Sequence, residues 1–507
     1  MDTQTHLTQK QTDVRTSNIL AARGILNLLK SSLGPRGLDK LLKTPQNTHL
    51  ITNDGATIMK QLEARHPISR MLVELSQSQD SEAGDGTTSV VLICCQLLQE
   101  ALKLMNLGLH PQQISNGYQK AATEALKILD NMSQIVDLSS TPLLLQIAKT
   151  TLSSKVISSY SDTLAPLIVR SIRTVFDGKN VDLRDIKIVK KLGGTVSETE
   201  VLDGMAITKK PDNNVIIQQQ QVKVSLINFA ISAPKSNLDS QIVVSDDNQI
   251  NKLLEQERKI TLKLCKQIAK SQVNVIFIQK SILSNNLSDM ASYYLEKLKI
   301  QVFSNVDSED MNFYAKALNI NIATSPDEIQ ISTVKYNTSN NIYYLIPENN
   351  RIATIVVRGA NKLIIDEAHR SIHDALCAVR CLFKCNYLVP GGGAVESEIS
   401  VKLMEMSSQQ EGVDQYCFRA FADAMEIILL TLSENGGFGP IQKVIEVKKQ
   451  HQLGEWKMGI NLNSQGKIED MLEKQVLMPK LVSLSQIQLA VETARMILKI
   501  DDIVIGR

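Results

Sequence analysis

A chain of 507 residues with 55 basic and 53 acidic side chains has a formal net charge of +2, and its basic residues are spread out, so no basic block or aromatic-basic stripe argues for a nucleic-acid partner. The 43% hydrophobic and 21% charged content is that of a soluble globular protein, and the length exceeds what one core serves, which predicts about three domains. No apolar run is expected to span a membrane, residues 1–15 lack the apolar stretch of a secretory signal, and seven cysteines, an odd number with Cys94 and Cys95 adjacent, fit a reduced intracellular chain better than a disulfide framework.

In chain order, Ser17 is placed to cap a helix over 17–33, whose apolar face is Ile19, Leu20, Ile25, Leu26, Leu28 and Leu29. Ser32-Leu33-Gly34-Pro35 then breaks it. His49–Thr52 reads as a strand, and Asn53-Asp54-Gly55-Ala56-Thr57, taken alone, as a hairpin turn. Residues 88–105 read as a helix that is apolar on nearly all sides at Val90–Cys95, hence buried, and ended by Gly108 and Pro111. In the middle, strands at 222–231, 273–278 and 300–306 alternate with helical spacing at 250–268 and 287–298, which predicts an α/β domain with parallel pairing. Gly193-Gly194, Pro211–Asn214 and Asn337–Asn341 are turn-rich boundary candidates. From Asp366 the chain reads as mostly helical. The pattern is an α/β insertion within a helical domain built from both termini.

The sharpest motif is Gly84-Asp85-Gly86-Thr87-Thr88-Ser89 at a helix start. Glycines admit close approach of an anion, free N–H groups and the helix dipole favour phosphate, and Asp85 is a hard oxygen ligand of the kind Mg²⁺ takes. A plain helix cap explains the same residues equally well. Gly391-Gly392-Gly393, before a helix from Ala394, is either a nucleotide-contacting turn or a hinge. Neither matches the Walker A pattern, which excludes an ordinary P-loop enzyme. On a helix over 366–385, Ala368, Ile372, Ala375, Leu376, Val379 and Phe383 form an apolar stripe. Asp374 lies opposite with Cys377, Cys381 and Cys385. This second face is either a metal site, with His369 and His373, or a catalytic carboxylate among buried thiols. The spacing of the cysteines on one continuous helix favours small buried hydrophobes over zinc ligands.

Taken together, Leu33–Lys40, Thr52–Thr57, Gly84–Ser89, Gly391–Gly393 and the tail Glu492–Asp502 resemble the group II chaperonins, from about Ser17 to Ile505. The strings Val181–Thr195, Ser232–Lys235, Gln241–Asp246 and Arg370–Cys377 resemble the delta class of the eukaryotic cytosolic members. The resemblance implies a mixed α and α/β, three-domain chaperonin architecture. Its equatorial domain would span 1–138 and 391–507, its intermediate domain 139–206 and 355–390, and its apical domain, with a helical protrusion, 207–354. It implies an ATP-hydrolysing, Mg²⁺-dependent folding chaperone of the cytoplasm, working in a hetero-oligomeric double ring on unfolded clients such as actin and tubulin, with no nucleic acid or membrane involved. A non-catalytic scaffold of the same fold is the alternative. By the same resemblance, Ser32, Leu33, Gly34 and Pro35 with Gly86, Thr87, Thr88 and Ser89 hold the phosphates, and Asp85 binds the metal. Asp54 and Asp374 orient or deprotonate the attacking water. Ser153, Ser154 and Lys155 form a loop that senses the γ-phosphate, and Gly392 and Gly393 lie along the nucleotide. Met478 replaces an acid that archaeal relatives carry near the ribose, Ile428-Leu429-Leu430 lacks a proline common there, and Thr324–Asn350 is short and Asn-rich. A helix over 310–318 is expected in the apical domain, with Met311, Tyr314, Ala315 and Leu318 inward and Asn312, Phe313 and Lys316 facing clients, beside the loop near 281–286.

Overall fold

The computed structural model describes residues 2–43, 49–62, 66–138, 140–178, 180–217, 219–232, 247–281, 286–339, 342–347 and 351–503. The strings at 233–235 and 241–246, and positions 282–285 of the expected client loop, lie outside those residues.

The first core joins the two ends of the chain. Helices Asp2–Leu29, Pro67–Glu82, Thr87–Asn106 and Pro111–Met132 pack with Ala394–Ser407, Val413–Met425, Ile427–Asn435, Pro440–Gln452 and Lys480–Leu498. Thr87–Asn106 is the centre. Val90 to Cys95 are all buried, and a helix apolar on every side needs neighbours on every side. It is in fact long and apolar enough to cross a membrane by length and composition, contrary to expectation. Its apolar faces are instead covered by Asp2–Leu29, Pro67–Glu82, Val413–Met425 and Lys480–Leu498.

Helices Thr141–Ser153, Ser161–Val175 and Lys362–Lys384 make the second core against a sheet of Ile186–Leu192, Ala353–Gly359 and Glu200–Leu202. The first two strands run parallel, with Ile186 opposite Ala353, so neither half of this unit has a complete sheet without the other.

The third region is a sheet in the order Met205–Ile207, Ile342–Ile346, Ser332–Ser339, Gln221–Ile227, Val275–Gln279, Gln301–Val306. The last three strands are parallel. Period-two alternation sends Val275 and Phe277 to one face, where helix Ser308–Leu318 packs, and Ile276 and Ile278 to the other, under Asp247–Lys270 and Asp289–Lys297. Burial on both faces accounts for the continuous apolar runs.

Several local expectations change. Ser17 is not a cap: the first helix runs through it from Asp2 to Leu29, and a 3-10 turn, Lys30–Ser32, follows. Asn53–Thr57 is not a hairpin turn. Asp54 caps the helix Gly55–Gln61, its carboxylate accepting from the Ala56 and Thr57 N–H groups. Strand Gln221–Ile227 stops short of 231, with Ile231 kept as an isolated bridge to Leu287.

The helix Ser308–Leu318 exists, but Phe313 is not on its outward face. Phe313 is buried, while Asn312 and Lys316 are exposed. Lys187, from the second unit, lies over Phe313 and Tyr314 at 5.8 and 5.1 Å from the ring centroids and pairs with Asp310 at 2.6 Å. Lys316 pairs with Asp185 at 2.5 Å. This helix faces the second unit. On the other side of the sheet, helix Asp289–Lys297 exposes Met290 and Tyr293, 39% and 51%, with Leu298 just beyond at 43%, and helix Asp247–Lys270 exposes Leu254 and Ile260.

Candidate active site

The helix starts at Gly55 and Thr87 meet end to end. Gly55 is required by that approach: a Cβ there would sit 2.6 Å from Thr88 Oγ1 and 2.8 Å from its backbone nitrogen. The contact lets Thr87 Oγ1 donate to Asp54 Oδ1 at 3.2 Å, while Thr57 donates to Asp54 Oδ2 through its hydroxyl at 2.6 Å and its backbone N–H at 3.0 Å. Burial alone would raise the Asp54 carboxyl. The Lys155 charge and the bonds from Thr57 and Thr87 outweigh it and hold that carboxyl below its ordinary range.

Asp85 stands one turn away, its Oδ1 accepting from the Gly86 N–H at 2.7 Å. Its carbonyl accepts from Gln79 Nε2 at 2.9 Å, and Ser485 Oγ donates to Gln79 Oε1 at 2.9 Å. Two buried polar side chains on apolar helix faces thus fix the loop. Gly84 is left-handed, φ +68°, and packs directly on Cys377, which brings the Asp374 helix against this loop. Cys381 Sγ meets the Ala83 carbonyl at 3.3 Å, and Arg380 donates to the Glu82 carbonyl.

Lys155 follows the helix Thr141–Ser153, and its Nζ lies 2.5 Å from Asp374 Oδ2, each side chain 9% exposed. Asn53 Nδ2 donates to the Ser154 carbonyl at 2.6 Å, tying this loop to the Asp54 turn. Burial would neutralise Lys155, but Asp374, Asp54 and Asp85 together hold it protonated. Burial drives the Asp374 carboxyl well above its ordinary range, Lys155 opposes this, and Asp54 and Asp85 add to it. One ammonium thus serves three carboxylates.

A cleft of about 370 Å³ opens beside this group, lined by Pro35, Asp85, Ser153, Ser154, Gly391, Gly392 and Met478 among others. Six of these seven come from motifs singled out in the sequence, and Met478 is the residue in place of the archaeal acid. Ser32, Leu33, Gly34, Gly86, Thr87, Thr88, Ser89, Lys155 and Gly393 do not line it, nor do Asp54 and Asp374. Ser32 Oγ donates to the Leu38 carbonyl. Asn435 clamps the Lys30 and Leu33 carbonyls at 2.9 Å each. Gly34 and Gly393 are left-handed; Gly393 opens the helix Ala394–Ser407. Sequence reasoning missed Thr150, Thr151, Asn461, Asn463, Lys474 and Gln475, which also line the cleft. Only an adjacent turn, with Gln475 left-handed at φ +57°, marks any of them.

Among the described residues, no three His, Cys, Asp or Glu side chains gather as a metal cluster. The helix cysteines go their own ways: Cys377 lies 3.7 Å from His373 Nε2, and Cys381 faces the Ala83 carbonyl. Burial pushes the Cys381 thiol up to about 12 and His369 down to about 4.

Residues 25–507 match the TCP-1/cpn60 chaperonin family. T-complex protein 1 subunit delta of Rattus norvegicus and that of Homo sapiens are each 46% identical over 509 residues, covering 98% of this chain and 94% of theirs. The subunit delta of Schizosaccharomyces pombe is 41% identical over 514 residues, covering 98% and 97%. With likeness over nearly its whole length, the chain belongs to the TCP-1/cpn60 chaperonin family of ATP-hydrolysing folding chaperones.

Proposed function

We propose that this chain is a catalytically active subunit of a hetero-oligomeric, double-ring cytosolic chaperonin that folds unfolded clients. Its first core would be the equatorial domain, the second the intermediate domain and the third the apical domain. The observation that carries the reading is the Lys155–Asp374 pair set against Asp54 and Asp85 at the edge of the cleft. ATP lies in the cleft with its phosphates toward the Asp85 loop and the Gly86–Ser89 helix start. Asp54, held ionised, and Asp374, held high, orient the attacking water and take its proton. Lys155 meets the γ-phosphate. A scaffold has no chemical use for three acids converging on one buried lysine, which favours hydrolysis over the non-catalytic reading.

Asp85 suits Mg²⁺: it is the one of the three acids that lines the cleft, a single hard carboxylate of the kind that ion takes beside substrate phosphates and water. Bound there, the ion would neutralise phosphate charge. Asp85→Ala tests this reading. Calorimetric Mg-ATP affinity should fall about tenfold or more, given that a ligand beside three phosphates is lost. Unchanged affinity would make Asp85 a capping residue only.

A further inference from the structure

Behind the wall of the cleft, a histidine and a glutamate make a buried contact that no step above uses. Glu398 lies on the helix Ala394–Ser407, which the Gly391–Gly393 turn opens, and His451 lies near the end of Pro440–Gln452. Their side chains are 8% and 0% exposed. His451 Nδ1 is 2.6 Å from Glu398 Oε2, and Nε2 is 2.8 Å from the Met458 carbonyl oxygen. A carbonyl only accepts, so Nε2 carries a hydrogen and donates. One further proton then sits between Nδ1 and the carboxyl, whichever atom owns it.

Met458 begins the strand Met458–Asn461. Two residues on, the Ile460 N–H donates to the Gly392 carbonyl at 3.0 Å. A Cβ on Gly459 would lie 3.0 Å from both the Gly391 and Gly392 carbonyl oxygens, so the strand lies flush beneath the glycine turn. Gly391, Gly392, Ile460 and Asn461 all line the cleft. The contacts close a circuit: glycine turn, helix, Glu398, His451, Met458, strand, and back to Gly392.

We propose that Glu398 and His451 are a positioning pair for nucleotide binding, setting the strand Met458–Asn461 against the Gly392 turn and so fixing the shape of the cleft. This rests on the cleft being the nucleotide site. Asp54, Lys155 and Asp374 stand on other elements, so the pair governs ATP affinity and not the chemical step. Glu398→Gln is the conservative variant. Its amide donates to an unprotonated Nδ1, which leaves Nε2–H on Met458 and preserves both bonds with a neutral imidazole. His451→Phe keeps the volume and removes both bonds, leaving two buried groups unpaired.

The test is azido-ATP photolabelling of this subunit in the intact particle, titrated in ATP, alongside single-turnover hydrolysis. His451→Phe should raise half-saturating ATP about tenfold with turnover at saturation unchanged, while Glu398→Gln stays at the wild-type value. Should His451→Phe fail to enter the particle, Glu398→Asp, one carbon too short to hold Nδ1, should give the same shift. A His451→Phe or Glu398→Asp particle with lowered melting temperature but wild-type half-saturation would make the pair core packing and overturn the proposal. Asp85→Ala is the parallel control: if it too leaves labelling unchanged, the nucleotide reading of the cleft is what fails.

Discussion

Lys155 and Asp374, 219 positions apart in sequence, hold each other at 2.5 Å, and both belong to the second unit, while Asp54 and Asp85 belong to the first. The lysine and its acid therefore move as one body. Under the proposed function, a motion of the second unit over the first would carry Lys155 and Asp374 to the cleft together.

Replacing Asp374 by Ala should lower single-turnover hydrolysis by about 10²–10⁴-fold, the usual weight of a positioned base. Nucleotide binding should stay nearly intact, because the cleft residues are untouched. Wild-type turnover in the mutant particle would remove Asp374 from the mechanism.

The acid limb of the pH–rate profile should lie above the ordinary carboxylate range. Burial raises the Asp374 carboxyl, a base works only when ionised, and turnover is therefore lost as pH falls through that raised value. Lys155 is the chief influence opposing burial. Lys155→Met should accordingly move the limb of the residual activity to higher pH, and a shift to lower pH would contradict the assignment.

At the contact of the second and third units, Phe313 and Lys316 should differ. Phe313→Ala removes a buried ring and should cost about 3 kcal/mol of unfolding free energy. Lys316→Ala removes the exposed partner of a half-buried pair with Asp185 and should cost less, about 1–2 kcal/mol. Denaturant titration distinguishes them, and equal effects would mean that the buried ring contributes little there.

Client contact should map to the helix Asp289–Lys297. Met290 and Tyr293 are one turn apart on an exposed face. Met290→Ser with Tyr293→Ser should reduce client crosslinking severalfold while ATP turnover and ring assembly stay unchanged. Undiminished crosslinking would place the client site elsewhere.

Much of this was legible in the sequence because glycine and acid punctuation is local. The Asp85 and Gly392 turns, the buried Thr87–Asn106 helix and the alternating strands all announce themselves within a few residues. What stayed hidden is tertiary. The turn at Asp54 looks like any Asp-Gly hairpin until Gly55 is seen against Thr88. Phe313 falls on the polar side of its helix by spacing, and only Lys187, arriving from another unit, covers it. Asn461 and Gln475 lie in no motif: the cleft recruits one from a strand end and the other from a turn. Gln79 and Ser485 are ordinary polar residues until their partners, 406 positions apart, are brought together.

The parallel pairing of Ile186–Leu192 with Ala353–Gly359 sets an order on biosynthesis. At ~5–20 residues per second, the second strand leaves the ribosome roughly 8–30 s after the first. The helices of the N-terminal segment wait longer still for Lys480–Leu498. The third region, continuous in sequence, is the part that can fold during translation. The nascent chain thus carries incompletely covered apolar helices until Lys480–Leu498 emerges, and so itself needs shielding from aggregation before it can join an assembly.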